Sequence, residues 1–465
     1  MNKVLASIIV AFLVAATGVP VKAANGELKL PPCKKVKLSN GLTLLLMEQH
    51  EVPIVSFNFL VRAGSTADPA GKEGLAAVTA EMLRKGTKTR SADQLSGELD
   101  FIGGEMNFGS TYDYTNGSAE FIKKDVKTGI DLLADALLNP TFPQAEATKI
   151  IKQRVDGIKA AKDQAQGVIR NYFVGYLFGN HPYARPAGGD EKSLAAITRA
   201  DISGFYQKWY APANTTIAVV GDFNTAEMEK LMTDKFNGWN TKAAAPITVP
   251  DAAPVQGKKL LLVDKPDATQ TFYMIGNTGI ARTNADRVQI NVINTLFGGR
   301  FTSMLNSELR IQTGLTYGAR SGFEERKAKG AFAISTYTRN EKTEEAIDRT
   351  LAILKRLHEN GITEEELKSA KAYIKGLFPT DLETTNQLAA AITELDFYGL
   401  SETDINSIYA KVDAMTLADA QRIIKQYFPL DNLVFVLIGK ASEIQQVAKK
   451  YAGKMDVKQI NQTGF

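Results

Sequence analysis

The chain is poor in the side chains that bind metals and attack substrates: its 465 residues include three histidines and one cysteine. A single cysteine makes no intramolecular disulfide, so the fold must be held by its cores alone. The histidines, His50, His181 and His358, are too far apart for any two to share a helical turn. That excludes a zinc site built from one local histidine motif. The 55 Lys and Arg are interspersed with 51 Asp and Glu and form no dense basic run, so there is no footprint for nucleic acid. No segment after residue 23 approaches the roughly 20 uncharged residues of a spanning helix, and the mature protein is expected to be soluble and free of the membrane.

What is present begins with a targeting signal. Lys3 supplies a short positive segment, Val4 to Ala16 is almost wholly apolar, and Val21-Lys22-Ala23 gives a small-x-small cleavage site. Residues 1–23 therefore read as a signal peptide, with a retained anchor as the alternative, and the mature protein is expected in the periplasm or secreted. Removing Lys3 and Lys22 lowers the formal charge from +4 to 4 − 2 = +2. Leu30-Pro31-Pro32-Cys33 lacks the small residues that precede a lipidated cysteine, so Cys33 reads as a free thiol. About 440 mature residues exceed a single core, and two or more domains are expected.

The chain is internally duplicated. "ITRADISGFYQKWYAPANTTIAVVGD", from Ile197, lies without a gap on "MTLADAQRIIKQYFPLDNLVFVLIGK", from Met415, at a shift of 415 − 197 = 218 residues. Each copy has a Thr that N-caps a helix, aromatics that close it, and a β-branched strand running into Gly221 or position 439, also Gly. Upstream, Leu42 to Met47 precedes "VPIVSFNFLVRAG" as Leu260 to Val263 precedes "TQTFYMIG". "TEEELKSAKAYIKGLF" opens with a Thr363/Glu366 capping box. Residues 240–257, rich in Ala and Pro, read as a linker between a first lobe at 24–239 and a second at 258–465. The element order implies an α+β fold, with helices packed on a mostly antiparallel sheet in each lobe and a cavity between the lobes.

Three stretches carry a family resemblance: "AGSTADPAGKEGLAAVTAEMLRKGTKTRSADQL", "HPYARPAGG" and "LNSELRIQTGLTYGARSGF". Together they resemble the M16 metallopeptidases (pitrilysin, insulinase and mitochondrial processing peptidase) over essentially the whole mature chain. The resemblance implies two homologous LuxS/metalloenzyme-like lobes forming half of a clamshell. Active M16 members carry His-x-x-Glu-His on the helix that here spans "GLAAVTAEML". Histidines at i and i+4 share one helical face and bind zinc, the Glu activates water, and a Glu on a later helix completes the ligands. Aligned on Gly74-Leu75-Ala76 and Lys85-Gly86-Thr87, the two His positions fall on Ala77 and Glu81, and the base on Ala80. The distal ligand position falls on Gly157. The resemblance thus assigns four degenerate zinc-site positions, and one carboxylate does not hold zinc. The helix is expected to persist because Leu75, Val78 and Met82 pack the lobe. No metal is expected in this chain.

The second lobe keeps more. In active M16 enzymes an Arg and a Tyr at the spacing of Arg310 and Tyr317 reach the zinc from the opposite lobe. The Tyr hydroxyl donates to the oxyanion and the Arg holds the substrate backbone. From the residues alone, Arg310 also reads as a surface ion pair and Tyr317 as sheet-edge packing. Gly314 is expected to end the helix bearing Arg310, and Tyr317 to begin the next strand. Gly298-Gly299 reads as a substrate-facing loop or as a helix break. His181 reads as loop packing, and His358, in "LKRLHENG", as a solvated helix tail.

The resulting expectation is the non-catalytic subunit of an exported zinc-dependent heterodimeric M16 peptidase. It would give Arg310 and Tyr317 in trans to a partner bearing the intact His-x-x-Glu-His motif and its zinc, with extended peptides as substrates. The alternatives are a peptide-binding or structural assembly protein with no peptidase role, and a self-contained hydrolase of unrecognised design. For the last, the sequence shows no nucleophile elbow and no Cys–His arrangement.

Overall fold

The computed structural model describes residues 29–465; the proposed signal peptide lies outside them. Two six-stranded sheets form the framework. The first has the order β1-β2-β6-β3-β5-β4, from β1 (Lys34–Lys37), β2 (Thr43–Glu48), β3 (Ile54–Val61), β4 (Glu105–Ser110), β5 (Thr115–Ile122) and β6 (Thr215–Gly221). The second has the order β12-β7-β11-β8-β10-β9, from β7 (Lys259–Asp264), β8 (Gln270–Thr278), β9 (Arg320–Glu325), β10 (Lys329–Arg339), β11 (Val434–Gly439) and β12 (Lys454–Gln459). Pairing is antiparallel except for β2/β6, β7/β11 and β7/β12. The 218-residue repeat therefore appears as two superposable topologies, from β2 to β6 and from β7 to β11.

The repeat is visible down to its caps. Thr198 caps the helix Arg199–Trp209 with Asp201 as the reciprocal partner, and Thr416 caps Leu417–Tyr427 with Asp419 in the same way. Each helix delivers the chain into the central strand of its sheet, β6 or β11, in which every residue is buried.

Strands buried on both faces need two apolar layers, and they read as continuous apolar runs for that reason. On β2, Leu44 and Leu46 enter the core beneath the first half's own helices. These include α1 (Leu75–Met82), α2 (Ala92–Phe101) and α3 (Val126–Leu138). Leu45 and Met47 point the other way, against Leu388, Ala389, Ile392 and Leu395. Those residues belong to the helix Thr385–Tyr398, which comes from the second half of the chain. The converse holds at the second sheet. Leu261, Val263, Val436 and Ile438 are covered by Val168, Tyr172 and Phe173 of α5 (Ala165–Phe178), which follows α4 (Gln144–Lys162) in the first half. The halves thus exchange one helix each.

Polar contacts fix the exchange. Asp396, on the helix covering the first sheet, accepts from Arg62 at 2.7 Å and from Thr216 Oγ1 at 2.7 Å. Tyr176 on α5 donates to Asp456 on β12 at 2.7 Å. At the junction, Tyr183 of the "HPY" turn donates to Asp113 at 2.7 Å and accepts from the Ala328 amide at 3.1 Å. The buried Arg326 guanidinium from the second half lies 3.7 Å from the ring centroid of Tyr112 and 4.6 Å from that of Tyr183. Residues 240–256 contain no helix or strand, but they are held down: the Pro250 carbonyl meets His181 Nε2 at 2.7 Å, and Val255 packs beside the second sheet. Among the described residues no helix is long and apolar enough to cross a membrane.

Because each helix completes the other half's core, a cavity in either one should loosen both. Phe173→Ala and Ile392→Ala should cost about 3–5 and about 2–5 kcal/mol, the usual range for emptying a core site. Each should lower a single calorimetric transition. Two separate transitions, with only one displaced, would contradict this coupling.

Candidate functional site

The site is built first on α1. Gly74 precedes the helix at φ 95°, a left-handed conformation suited to glycine. The first turn is capped from outside by Asp68, whose two carboxylate oxygens accept from the Gly74 and Ala76 amides at 2.8 Å each. Burial pushes the Asp68 carboxyl up to about 7, against the pull of those amides and Arg185 and with a further push from Glu73. Leu75, Ala76, Val78 and Met82 sit in the core of the first half, so the helix is retained by packing.

The four positions that the resemblance assigns to a metal site carry no metal chemistry. Ala77 and Ala80 are buried. Glu81 is already engaged: its Oε2 accepts from Arg154 Nε on α4 at 3.0 Å, and Arg154 Nη2 lies 3.5 Å from the Ala77 carbonyl oxygen. One guanidinium therefore touches both α1 positions that the resemblance gives to histidine. Gly157 lies one turn further along α4, exposed, with nothing within 4 Å of where a Cβ would stand. The donor set does not fit zinc. Among the described residues no group of three or more His, Cys, Asp or Glu could hold a metal ion.

Each histidine has another occupation. His181 Nδ1 accepts from the Tyr183 amide at 3.1 Å, and its ring packs beside Phe178 and Tyr183, so it is a turn residue. His50 bridges Asp222 and Glu48 on the surface. His358 differs from the expected solvated tail: it is half-buried, with Nε2 2.6 Å from the Phe428 carbonyl oxygen, tying two helices together. Burial raises the Cys33 thiol to about 11, the reverse of what a nucleophilic thiolate needs.

In the second half, Arg310 lies in a π-helical turn, Ser307–Gln312, and Gly314 at φ 61° ends it. Tyr317 does not begin the strand as expected. It sits in the connection three residues before β9, with 78 % of its surface exposed. The Arg310 guanidinium rests 4.8 Å from the centroid of Phe301, itself 60 % exposed, and no carboxylate among the described residues lies within ion-pair distance of it. The expected surface ion pair is thus absent. Gly298 and Gly299 occupy a second π-helical turn, Thr295–Gly299. A Cβ on Gly298 would stand 2.5 Å from the Ser321 backbone nitrogen on β9, so close packing alone requires this glycine. The two π-turns flank Phe301 in sequence, and such widened turns recur at functional positions.

Sequence reasoning missed Arg154, Asp68 and Arg326. The first was the most accessible, because Arg154 and Gly157, three residues apart on α4, share a helical face. The aromatic cage around Arg326 joins distant segments and has no local signature.

The comparisons agree on the family. Residues 43–191 match the family model described as insulinase (peptidase family M16), and residues 196–374 match the peptidase M16 inactive domain. A protein of Mycobacterium leprae designated an uncharacterized zinc protease is 25 % identical over 394 residues, covering 84 % of this chain and 88 % of its own length. The Bacillus subtilis protein YmxG, of the same designation, is 25 % identical over 404 residues, covering 86 % and 96 %. Among solved structures, the peptidase M16 inactive domain from Pseudomonas fluorescens is similar at a TM-score of 0.82 and 25 % identity, covering 88 % of this chain and 98 % of that one. The periplasmic protease PqqL from Escherichia coli shares the fold at a TM-score of 0.73 and 18 % identity, with 92 % and 51 % covered.

Two outcomes are expected. Unit charges 4 Å apart interact by about 4 kcal/mol at an effective dielectric of 20, and a dication beside Arg154 meets twice that repulsion. The triple variant Ala77→His/Glu81→His/Gly157→Glu should therefore bind zinc in calorimetry only when Arg154→Ala is added; binding with Arg154 intact would refute its role. Asp68 is protonated more readily in the folded protein than in the unfolded one. Its contribution should be complete below about pH 4 and lost as pH rises to about 7. Denaturant midpoints should show that slope, and Asp68→Asn should remove it.

Proposed function

The chain belongs to peptidase family M16, and from that premise we propose that it is a non-catalytic subunit of an exported, zinc-dependent M16 heterodimer. Its partner brings the intact His-x-x-Glu-His motif and its zinc. This chain brings Arg310 and Tyr317, together with surface for extended peptides, and the two chains close as a clamshell. The observation that carries the reading is an asymmetry between the halves. The metal positions hold Ala77, Ala80, Gly157 and a Glu81 neutralised by Arg154, whereas Arg310 and Tyr317 present free donors to solvent. An exposed tyrosine hydroxyl, and seven residues before it an arginine without a carboxylate, can serve a charge that develops on a molecule outside this chain.

In this arrangement the Tyr317 O–H donates to the oxyanion of the tetrahedral intermediate, and Arg310 donates to substrate carbonyls. The zinc, held by the partner, supplies the activation of water. An extended substrate would gain main-chain hydrogen bonds by adding to a sheet edge; β4 and β9 are each the last strand of a sheet. The periplasmic E. coli relative of this fold is in keeping with an exported site of action.

The test is peptide-library cleavage by this chain alone, by a co-expressed partner with intact motif, and by the mixture. Cleavage in the mixture above the partner's own rate is expected. Tyr317→Phe should then lower kcat by about 10²–10³-fold, the usual effect of deleting one oxyanion donor, and Arg310→Ala should do likewise with assembly intact. No gain in the mixture, with peptide still bound, would favour a peptide-binding or assembly protein. Zinc-dependent cleavage by the lone chain would overturn the reading.

A further inference from the structure

The duplication supplies an internal comparison. Where each exchanged helix begins, it leaves a cavity against the open end of the sheet that it covers. At the first sheet this cavity is about 440 Å³ and is lined by Glu51, Glu120 and Glu383 with the aliphatic Val52, Ile54 and Leu388. At the second sheet the counterpart is about 380 Å³, and Phe272, Met274 and Tyr337 line it with Arg320, Gly322 and Glu324. The positions correspond. By sheet register Phe272 lies opposite Ile438 of β11 as Ser56 lies opposite Val220 of β6, 218 residues earlier. Tyr337 pairs with Phe272 across the sheet as Glu120, which lines the first cavity, pairs with Ser56. One fold position has thus become acidic and aliphatic in one half, and aromatic and cationic in the other.

We propose that the second cavity is a side-chain subsite for a peptide bound along β9, taking an aromatic side chain on the Phe272–Tyr337 stack with a carboxylate at Arg320. This rests on the reading above that extended peptides are the ligands. The two rings are stacked at 4.9 Å with planes 21° apart, and both are half-buried, leaving an aromatic wall for a third ring. The strand β9 is an edge, so its outer backbone groups can pair with an added strand whose alternate side chains fall on the cavity face. On that face stand Arg320, Gly322 and Glu324. Gly322 leaves the entry clear, since a Cβ there meets nothing within 4 Å. Ser321 and Phe323 lie between them in sequence; Phe323 packs against Phe332 and Phe428 on the opposite face, in the second half's own core.

The charge balance selects the guest. Glu324 is neutralised by Arg170 at 2.7 Å and by Arg326. Arg320 is exposed, and among the described residues no carboxylate pairs with it, so it is a free fork for a carboxylate. Gly318, the neighbour of Tyr317, also lines the cavity, so a peptide seated there leads directly to the tyrosine. The carboxylate can come from an Asp or Glu side chain or from a peptide C-terminus.

The test is fluorescence anisotropy of the full mature chain, without partner, and a short labelled peptide holding Phe next to Glu. Saturable binding is expected, about tenfold weaker, or 1.4 kcal/mol, for Gly322→Leu, for Arg320→Glu and for Phe→Ala in the peptide. Lys230→Ala, on the exposed face of the remote helix Thr225–Phe236, should bind as the wild type does, and an unchanged thermal midpoint for Arg320→Glu guards against misfolding. Weakening by a C-terminal amide assigns the carboxylate to the terminus, and weakening by Glu→Gln assigns it to a side chain. Wild-type affinity in Gly322→Leu, or tighter binding of a Lys-for-Glu peptide, would overturn the subsite. Since no turnover is read, failure here leaves the shared-active-site reading standing. Conversely, retained binding with no gain in turnover would sink only that reading.

Discussion

Each sheet buries its second face with a helix borrowed from the other half of the chain, and most other features follow from that constraint. A strand such as β11, apolar at every position, is insoluble as half of an isolated lobe. Covering it with α5 makes the first half a structural part of the second, and the helix Thr385–Tyr398 returns the relation. The two halves are therefore set in one arrangement by their cores and not by the 240–257 segment. The Asp396–Arg62 pair, its carboxylate buried and its guanidinium half-buried, and the Arg326 cage lie at the places where the exchange is sealed. A buried cation such as that of the cage is better understood as specifying geometry than as adding stability.

The duplication was legible in the sequence because its signals are local. Thr198/Asp201 and Thr416/Asp419 are capping boxes at one spacing, and a cap depends only on the residues within a turn of it. The helix exchange was not legible. Amphipathicity tells which face of α5 is apolar, and says nothing about which of two similar sheets will receive it. The same limit explains the site. That α1 lacks metal ligands could be read from residues 77–81 alone. That Arg154 fills the electrostatic vacancy requires α4 to face α1. Tyr317 was misplaced by a few residues because its apolar neighbours resemble a strand start, while Gly314 and the loop it opens delay pairing to Arg320.

Charge explains why the α1 site could change so completely without loss of the helix. A metal centre holds a dication among acidic and neutral ligands, and simple deletion of the histidines would leave a carboxylate facing another helix. Here the carboxylate is Glu81 and the compensating cation is Arg154, at hydrogen-bond distance and half-exposed. Half-exposed pairs of this kind contribute little net stability, so the pair balances charge more than it bolts the helices. The bolt is the apolar face, with Val78 and Met82 fully buried.

The opposite regime holds around Tyr317. There the chain leaves Phe301 and Tyr317 largely in solvent and keeps Arg310 and Arg320 free of carboxylates, although Arg170, Arg326, Arg349 and Arg356 nearby in sequence or space all have them. Apart from the cation–π contact of Arg310 with Phe301, worth about 0.5–1 kcal/mol at an exposed site, these unpaired arginines and exposed aromatics add little to the stability of the isolated chain. They are the two side-chain types most suited to grip another molecule, the one by bidentate hydrogen bonds and the other by area. On α1 the carboxylate Glu81 is met by Arg154, whereas Arg310 and Arg320 have no carboxylate within ion-pair distance among the described residues. Under the proposed function, that division assigns ligand recognition to the second half and not to α1.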